Sequence, residues 1–307
     1  MVKWLLLVQL VLICTPSAML ADKIVTVLII SNSLETPFQQ AIIGYKEELS
    51  LVQNVRFNEV SLAKEKNAEV TLSKMINEMR PDLIYSLGGE STEIALKSTA
   101  SIPIVATMIL KKFSYKGVNN ITGVYLNYPL SIQFQWLKKF FPEQRKIAIF
   151  FNPEENGETV LEARKLAARD RLELISIPVD TPKELPYALD QLRNNVEILL
   201  AIPDAIAMSS KTAKEVLLAS FRNRVPLIGL SDNWVKSGAL YSLSWDFNDL
   251  GRQCANQSDK LIKGTSILKV PIEYPRKTTY SINAKIAEHM NMEISQALLK
   301  NAKFIFN

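Results

Sequence analysis

The chain has 307 residues, of which 48% are hydrophobic and 22% charged, with 36 Lys and Arg set against 31 Asp and Glu. At roughly 150 residues per domain this is the length of two domains, and the composition is that of an ordinary globular protein. The basic residues are scattered, the tightest groups being Lys111-Lys112, Lys138-Lys139 and Arg276-Lys277, and none interleaves with aromatic residues, which argues against a nucleic-acid partner.

Met1 to Lys3 makes a short basic start, the run from Trp4 to Ile13 is apolar, and small residues follow at Ser17, Ala18 and Ala21. This is the layout of a secretory signal, and about ten apolar residues are too few for a stable membrane span. A signal over 1–21, cleaved near Ala21, is predicted. Cys14 offers a lipid-anchor alternative, which Ile13 disfavours because lipoprotein signals carry Gly, Ala or Ser at that place. With the signal removed Cys254 is the sole cysteine, so no internal disulfide can form.

From here the chain carries one pattern of punctuation twice. Lys23 to Ile30 breaks into Ser31-Asn32-Ser33, Leu83 to Leu87 breaks into Gly88-Gly89, and Pro103 to Met108 is a third apolar run. In the second half Lys146 to Phe151 breaks into Asn152-Pro153, Ile198 to Ile202 into Pro203-Asp204, and Val225 to Leu230 into Ser231-Asp232. Such runs, apolar without alternation, read as strands buried on both faces, and the helical patterns between them read as right-handed crossovers. The predicted class is α/β, with two doubly wound Rossmann-like lobes that take a ligand beyond the carboxyl ends of their strands.

Thr36-Pro37 predicts a helix start with Thr36 as the capping hydroxyl, followed by Phe38, Ala41, Ile42, Tyr45 and Leu49 at helical spacing. Helices are predicted over Ser91 to Ser98 and Gly157 to Arg171, each placing unpaired amides at the cleft mouth, where they suit an anionic group. The chain is predicted to cross between lobes near Gly123 to Pro129. A second crossing is placed near Ser242 to Asp246, after a short strand around Leu240. A helix then runs from Asp246 to Lys263 and stops at Gly264, and the extended passage from Val270 to Ile282 is the third crossing.

Candidate chemistry is sparse. The one histidine, His289, lies in a helical stretch remote from every strand end, which argues against a catalytic triad or a histidine-rich metal site. Cys254 sits in mid-helix and reads as a small buried residue. No G-x-S-x-G, Walker or G-x-G-x-x-G pattern is present, so neither a catalytic residue, a metal nor a cofactor is predicted. Gly88-Gly89 reads as a tight strand-to-helix turn that also lets backbone approach a ligand. Glu154 and Glu155 read as partners of a helix dipole. Asp204, Asp232 and Asp246 are either helix caps or ligand carboxylates for an ammonium group. Trp245 either stacks on a ligand or closes a hinge.

One ordered set of segments runs through nearly the whole mature chain. It comprises Asn120-Ile-Thr-Gly123, Phe151-Asn-Pro153, Pro203-Asp204, Val225-Pro-Leu-Ile-Gly229, Gly238-Ala-Leu240, Asp249-Leu-Gly-Arg-Gln253, Pro271-Ile-Glu-Tyr-Pro275 and Ser281-Ile-Asn-Ala284. With these the chain resembles the substrate-binding proteins of ABC transporters, in the family that includes tryptophan and tyrosine receptors. The resemblance implies a type I periplasmic binding protein with a three-crossover hinge. Its lobes would be 22–124 plus 244–270 and 125–243 plus 271–307. It implies a monomeric periplasmic receptor that closes on an amino acid or other small polar solute and delivers it to ABC permease and ATPase subunits; a sensory module without transport is the alternative. The family's ligand loops map onto Ser31, Asn32, Gly88, Gly89, Glu90, Ser91, Met108, Asn152, Pro203, Asp204 and Ser231, beside which Asp232 and Trp245 are candidates from their own positions. Where the family has Gly-Thr and a small residue this chain reads Gly88-Gly89-Glu90, and an inward Glu90 would repel an anionic ligand group.

Overall fold

The computed structural model describes residues 24–63, 65–109, 117–193 and 196–307. The signal segment 1–21 with Cys14, and the Lys111-Lys112 pair, lie outside the described residues.

The first sheet contains β1 (Val25–Ser31), β2 (Val55–Ser61), β3 (Leu83–Leu87), β4 (Ile104–Thr107) and β5 (Ile121–Gly123), in the order β2-β1-β3-β4-β5. All its pairings are parallel. The helices α1 (Thr36–Ser50), α2 (Ala68–Met79) and α3 (Gly89–Ser98) connect these strands. Every residue of β3 and β4 is buried, as helices on both faces require. One face of the sheet packs Val27, Ile29, Tyr85 and Val105 with Tyr45 of α1, and the other packs Leu28, Ile30, Ile84 and Ala106 with Leu72 and Ala95 of α2 and α3.

The second lobe begins with α4 (Leu130–Phe140), β6 (Lys146–Phe151), α5 (Pro153–Arg169), β7 (Glu173–Pro178) and α6 (Leu185–Asp190). It continues with β8 (Ile198–Leu200), α7 (Ala213–Asn223), β9 (Leu227–Gly229), α8 (Asp232–Lys236) and β10 (Tyr241–Trp245). After α9 (Phe247–Ile262) come β11 (Thr278–Asn283), α10 (Ala284–His289), α11 (Gln296–Asn301) and β12 (Phe304–Phe306). Seven strands form this sheet in the order β12-β11-β10-β9-β8-β6-β7, parallel except where β11 runs antiparallel to β10. The fold is α/β, two Rossmann-like lobes joined by three crossings of the chain.

Four local expectations are corrected. Thr36 is not a cap: Glu35 holds that position with extended backbone and no side-chain bond, and Pro37 follows within the first turn. Asn152 starts α5 at Pro153, four residues ahead of the expected Gly157, because its side-chain oxygen accepts the Glu155 N–H at 3.0 Å. The helix after Gly88 likewise starts early, at Gly89. The region 242–245 is strand, fully paired with β11, so the second crossing falls at its end.

α9 packs on α1 of the first lobe, with Leu250, Cys254 and Ala255 joining the Tyr45 core. The two helices approach to backbone contact through one glycine on each. A Cβ on Gly251 would lie 2.0 Å from the Ala41 carbonyl oxygen, and one on Gly44 would lie 2.0 Å from that of Asn248.

Candidate functional site

The parallel strands of each sheet end on one edge, and there the polar punctuation gathers. On the first lobe Ser31 closes β1 in a small turn: its hydroxyl donates to the Ser33 carbonyl at 2.6 Å and accepts the Ser33 N–H at 3.1 Å. Asn32 Nδ2 donates across to Glu90 Oε2 at 3.4 Å, and Asn32 Oδ1 is buried without a partner. Gly88 makes room for this side chain. It has φ +98°, and a Cβ there would meet Asn32 Oδ1 at 2.1 Å. Its neighbour Gly89 has nothing within 4 Å of such a Cβ. Glu90 is exposed in the first turn of α3. Ser91 is buried, and its hydroxyl donates back to the Leu87 carbonyl at 2.5 Å. Met108 follows β4 with φ +61°, a left-handed conformation uncommon for a side-chain-bearing residue, and packs into the Tyr45 core.

On the second lobe Asp204 is buried, and its oxygens accept four bonds. Oδ2 takes the Asn152 N–H at 2.6 Å and Asn156 Nδ2 at 2.9 Å, while Oδ1 takes the Ile206 N–H at 2.9 Å and the Ala207 N–H at 2.7 Å. A carboxylate has about four lone-pair positions, so Asp204 is saturated from within its own lobe. It ties the β6 and β8 loops together, with Pro203 exposed beside it. Asp232 differs. Ser281 Oγ donates to it at 2.7 Å, Ser244 Oγ at 3.1 Å and Lys303 Nζ at 3.4 Å, which leaves acceptor capacity on a half-buried side chain. Ser231 precedes it as the cap residue of α8, with no side-chain cap bond. Glu155 accepts the Ala205 N–H at 2.8 Å, a loop bond.

Trp245 lies between the lobes. It packs against the cores of both, stacks on Tyr128 with ring centres 6.0 Å apart and planes 9° apart, and keeps a buried indole N–H without a partner. Asp246 caps α9, accepting the Asp249 N–H at 3.0 Å, and pairs with Lys277. Burial pushes the Asp246 carboxyl up, but Lys277 and the amides of Asp249 and Asn248 together bring it below the ordinary aspartate value.

The structure thus groups Ser31, Asn32, Gly88 and Glu90 on one edge, and Asn152, Asp204, Ser231 and Asp232 on the other. Among the described residues no hydrogen bond joins the two groups. Four polar participants, Ser244 among them, were not foreseen. Asn156 stands one helical turn after Asn152, a spacing visible once the helix start is correct. Lys303 and Ser281 reach Asp232 from the C-terminal segment, and nothing in their local sequence signals it. His289 stacks on Phe221 at 3.8 Å, far from both edges, and Cys254 is buried with its thiol pushed up to about 12, chiefly by that burial. Among the described residues no group of three or more His, Cys, Asp or Glu could hold a metal ion. An open depression lined by Val25, Gln53, Asp82, Pro103 and Leu261 lies at the amino ends of the first-lobe strands, away from all candidate residues.

A family model described as ABC transporter substrate binding protein matches residues 25–305, which covers both edges and every crossing. The chain belongs to this family. This ABC substrate-binding protein is 24% identical over 242 residues to the tyrosine-binding protein of Clostridioides difficile strain R20291, a span of 76% of this chain and 69% of the relative. Among solved structures it is similar to the ligand-free, open form of a substrate-binding protein with adhesive properties from Clostridium difficile. The TM-score is 0.77 at 18% identity, covering 92% of this chain and 99% of the other. It is also similar to a Streptococcus pneumonia ABC domain in complex with L-Trp, with TM-score 0.59 at 18% identity over 92% and 100% of the two chains. ABC substrate-binding proteins are ligand-binding, extracytoplasmic components. Among the described residues of this one no helix is long and apolar enough to cross a membrane.

Proposed function

We propose that this ABC substrate-binding protein is a monomeric periplasmic receptor that closes on a small polar solute and delivers it to the permease and ATPase subunits of an importer. The observation that carries the reading is the pair of polar carboxyl edges, one on each lobe, unbridged by hydrogen bonds among the described residues and connected through three crossings. The lobes in this reading are 22–124 with 244–270, and 125–243 with 271–307, after loss of a signal over 1–21; at their boundaries 244–245 pair within the second sheet and 273–276 are held by α9.

Ser31, Asn32, Gly88, Gly89, Glu90 and Met108 form the first-lobe shell, with Ser91 holding the α3 turn beneath it. Asn152, Pro203, Ser231 and Asp232 complete the shell from the second lobe, with Asp204 setting the shape of the loops and Trp245 forming the hinge-side wall. Asp232 is the carboxylate that retains capacity for a donor group of the solute. The relatives named for tyrosine and L-Trp make aromatic amino acids the first solutes to test. The exposed Glu90 favours a neutral or cationic group at the α3 end, because a carboxylate placed there would meet like charge.

The test is a panel of amino acids, purines, sugars and amines read by thermal unfolding and by small-angle scattering, with mass spectrometry of any co-purified ligand. The expected result is a rise in Tm together with a smaller radius of gyration for one solute class. If no solute moves either quantity, the receptor reading fails. A pull-down that returns a kinase or chemoreceptor in place of permease subunits assigns sensing instead of import.

A further inference from the structure

The connections between the lobes are not free linkers. α9, fastened to the first lobe, points Asp249, Gln253 and Gln257 from one face at the segment 271–276. Gln253 Nε2 donates to the Glu273 carboxylate at 2.6 Å and the Tyr274 carbonyl at 3.0 Å, and its Oε1 accepts the Arg276 N–H at 3.2 Å. Gln257 Nε2 donates to the carbonyls of Gly123 and Pro271, each at 3.2 Å. Arg276 grips Asp249 with two donors, at 2.7 and 3.0 Å. Glu273 is also paired with the first crossing: its N–H donates to the Gly123 carbonyl at 2.9 Å and its carbonyl accepts the Tyr125 N–H at 3.0 Å. Freedom to bend on this segment therefore starts at Lys277, where β11 is about to begin.

The other two crossings are confined in the same way. Leu126 N–H is held by the Ile109 carbonyl at 2.9 Å and α4 begins at Leu130, which leaves 127–129 to bend. Trp245 is still paired in β10 while Asp246 already caps α9, which leaves only their junction. These three short stretches meet at one side chain. The buried Tyr128 hydroxyl lies 2.8 Å from the Ser244 carbonyl and 3.0 Å from the Lys277 carbonyl, its single proton shared between them, and its ring stacks on Trp245.

A contact on a rotation axis keeps its length while the bodies on either side turn, whereas a contact away from the axis must break in one arrangement. We infer that Tyr128 is the pivot of lobe motion, the point through which the axis passes and at which the three crossings stay joined in open and closed arrangements alike. This rests on the proposed function only in taking the lobes to move.

The test uses the full chain with Cys14→Ser, keeping the buried Cys254, and places nitroxide labels at Gln40→Cys on α1 and Glu158→Cys on α5, both exposed. Pulsed electron paramagnetic resonance then gives the interlobe distance distribution without any solute. Tyr128→Phe, which keeps the ring and removes the tie, is expected to broaden the distribution about an unmoved mean. Gln253→Ala, which removes three of the bonds that hold 273–276 to α9, is expected to broaden it and move the mean. Thr122→Val, which removes a 2.7 Å bond to the Val270 carbonyl on the first-lobe side, is expected to leave the width unchanged. An unchanged width in Tyr128→Phe would make Tyr128 mere packing, and a moved mean without broadening would make it a latch for one arrangement; either outcome overturns the pivot. Since no solute is present, failure of the solute panel leaves this result standing, and the reverse holds as well.

Discussion

Two aspartates at equivalent strand ends have opposite accounts. Asp204 is surrounded by four donors, so Asp204→Ala strands several buried N–H groups and is expected to cost about 3 kcal/mol in a urea titration. Asp232→Ala is expected to lower solute affinity in the titration that identifies the solute while moving stability less, because its half-buried carboxylate accepts from two side-chain hydroxyls and an ammonium, which can turn to other partners, whereas Asp204 holds three backbone N–H groups that cannot. Asp246 gives a pH dependence. Its folded carboxyl titrates below the ordinary value of about 3.9, so its contribution is present above that pH and is lost as pH falls through the lower folded value. Asp246→Asn, which keeps a good capping side chain, is therefore expected to flatten the decline of Tm below about pH 4 relative to the parent. At this scale the sequence identified which loops are polar, but not which lone pairs are already filled. Asn156 and Ala207 saturate Asp204 only because α5 begins at Pro153 and the β8 loop folds back on it.

The interior strands were legible because burial on both faces writes a continuous apolar run: β3 and β6 match the runs Leu83–Leu87 and Lys146–Phe151 residue for residue. The edge strands β2 and β7 were not legible, since half-exposed strands carry residues such as Arg56, Asn58 and Glu173 that interrupt such a run. Glycine provides a test among the helices. Gly251→Ala forces a Cβ to within 2.0 Å of the Ala41 carbonyl oxygen, so α9 must lift from α1, at an expected cost of about 3 kcal/mol in chemical denaturation. Gly89→Ala places its methyl in open space at the start of α3 and is expected to change stability by less than about 1 kcal/mol in the same measurement. Sequence presents both as glycines near helices; only the distance between neighbours separates them.

Across the whole molecule the second sheet is completed from far away in the chain. β11 and β12 enter after α9 has visited the first lobe, and β11 covers β10 along its full length. Ending the chain at Arg276 is therefore expected to leave Tyr241 and Leu243 on an unpaired edge and to give aggregated protein, read by size-exclusion chromatography and light scattering. By itself the sequence determined the class of fold, the duplicated strand ends and the three regions of crossing, because buried strands and polar turns are local patterns of residue type. It also supplied Asp249, Gln253 and Arg276, without their partners. Tertiary structure alone decided that Asp204 is saturated by its own loops while Asp232 keeps acceptor capacity, that Lys303 returns to Asp232, and that Tyr128 stands where all three crossings meet. Those outcomes depend on contacts between residues tens to more than a hundred positions apart, as with Tyr128 and Ser244, and no local periodicity encodes a distance of that kind.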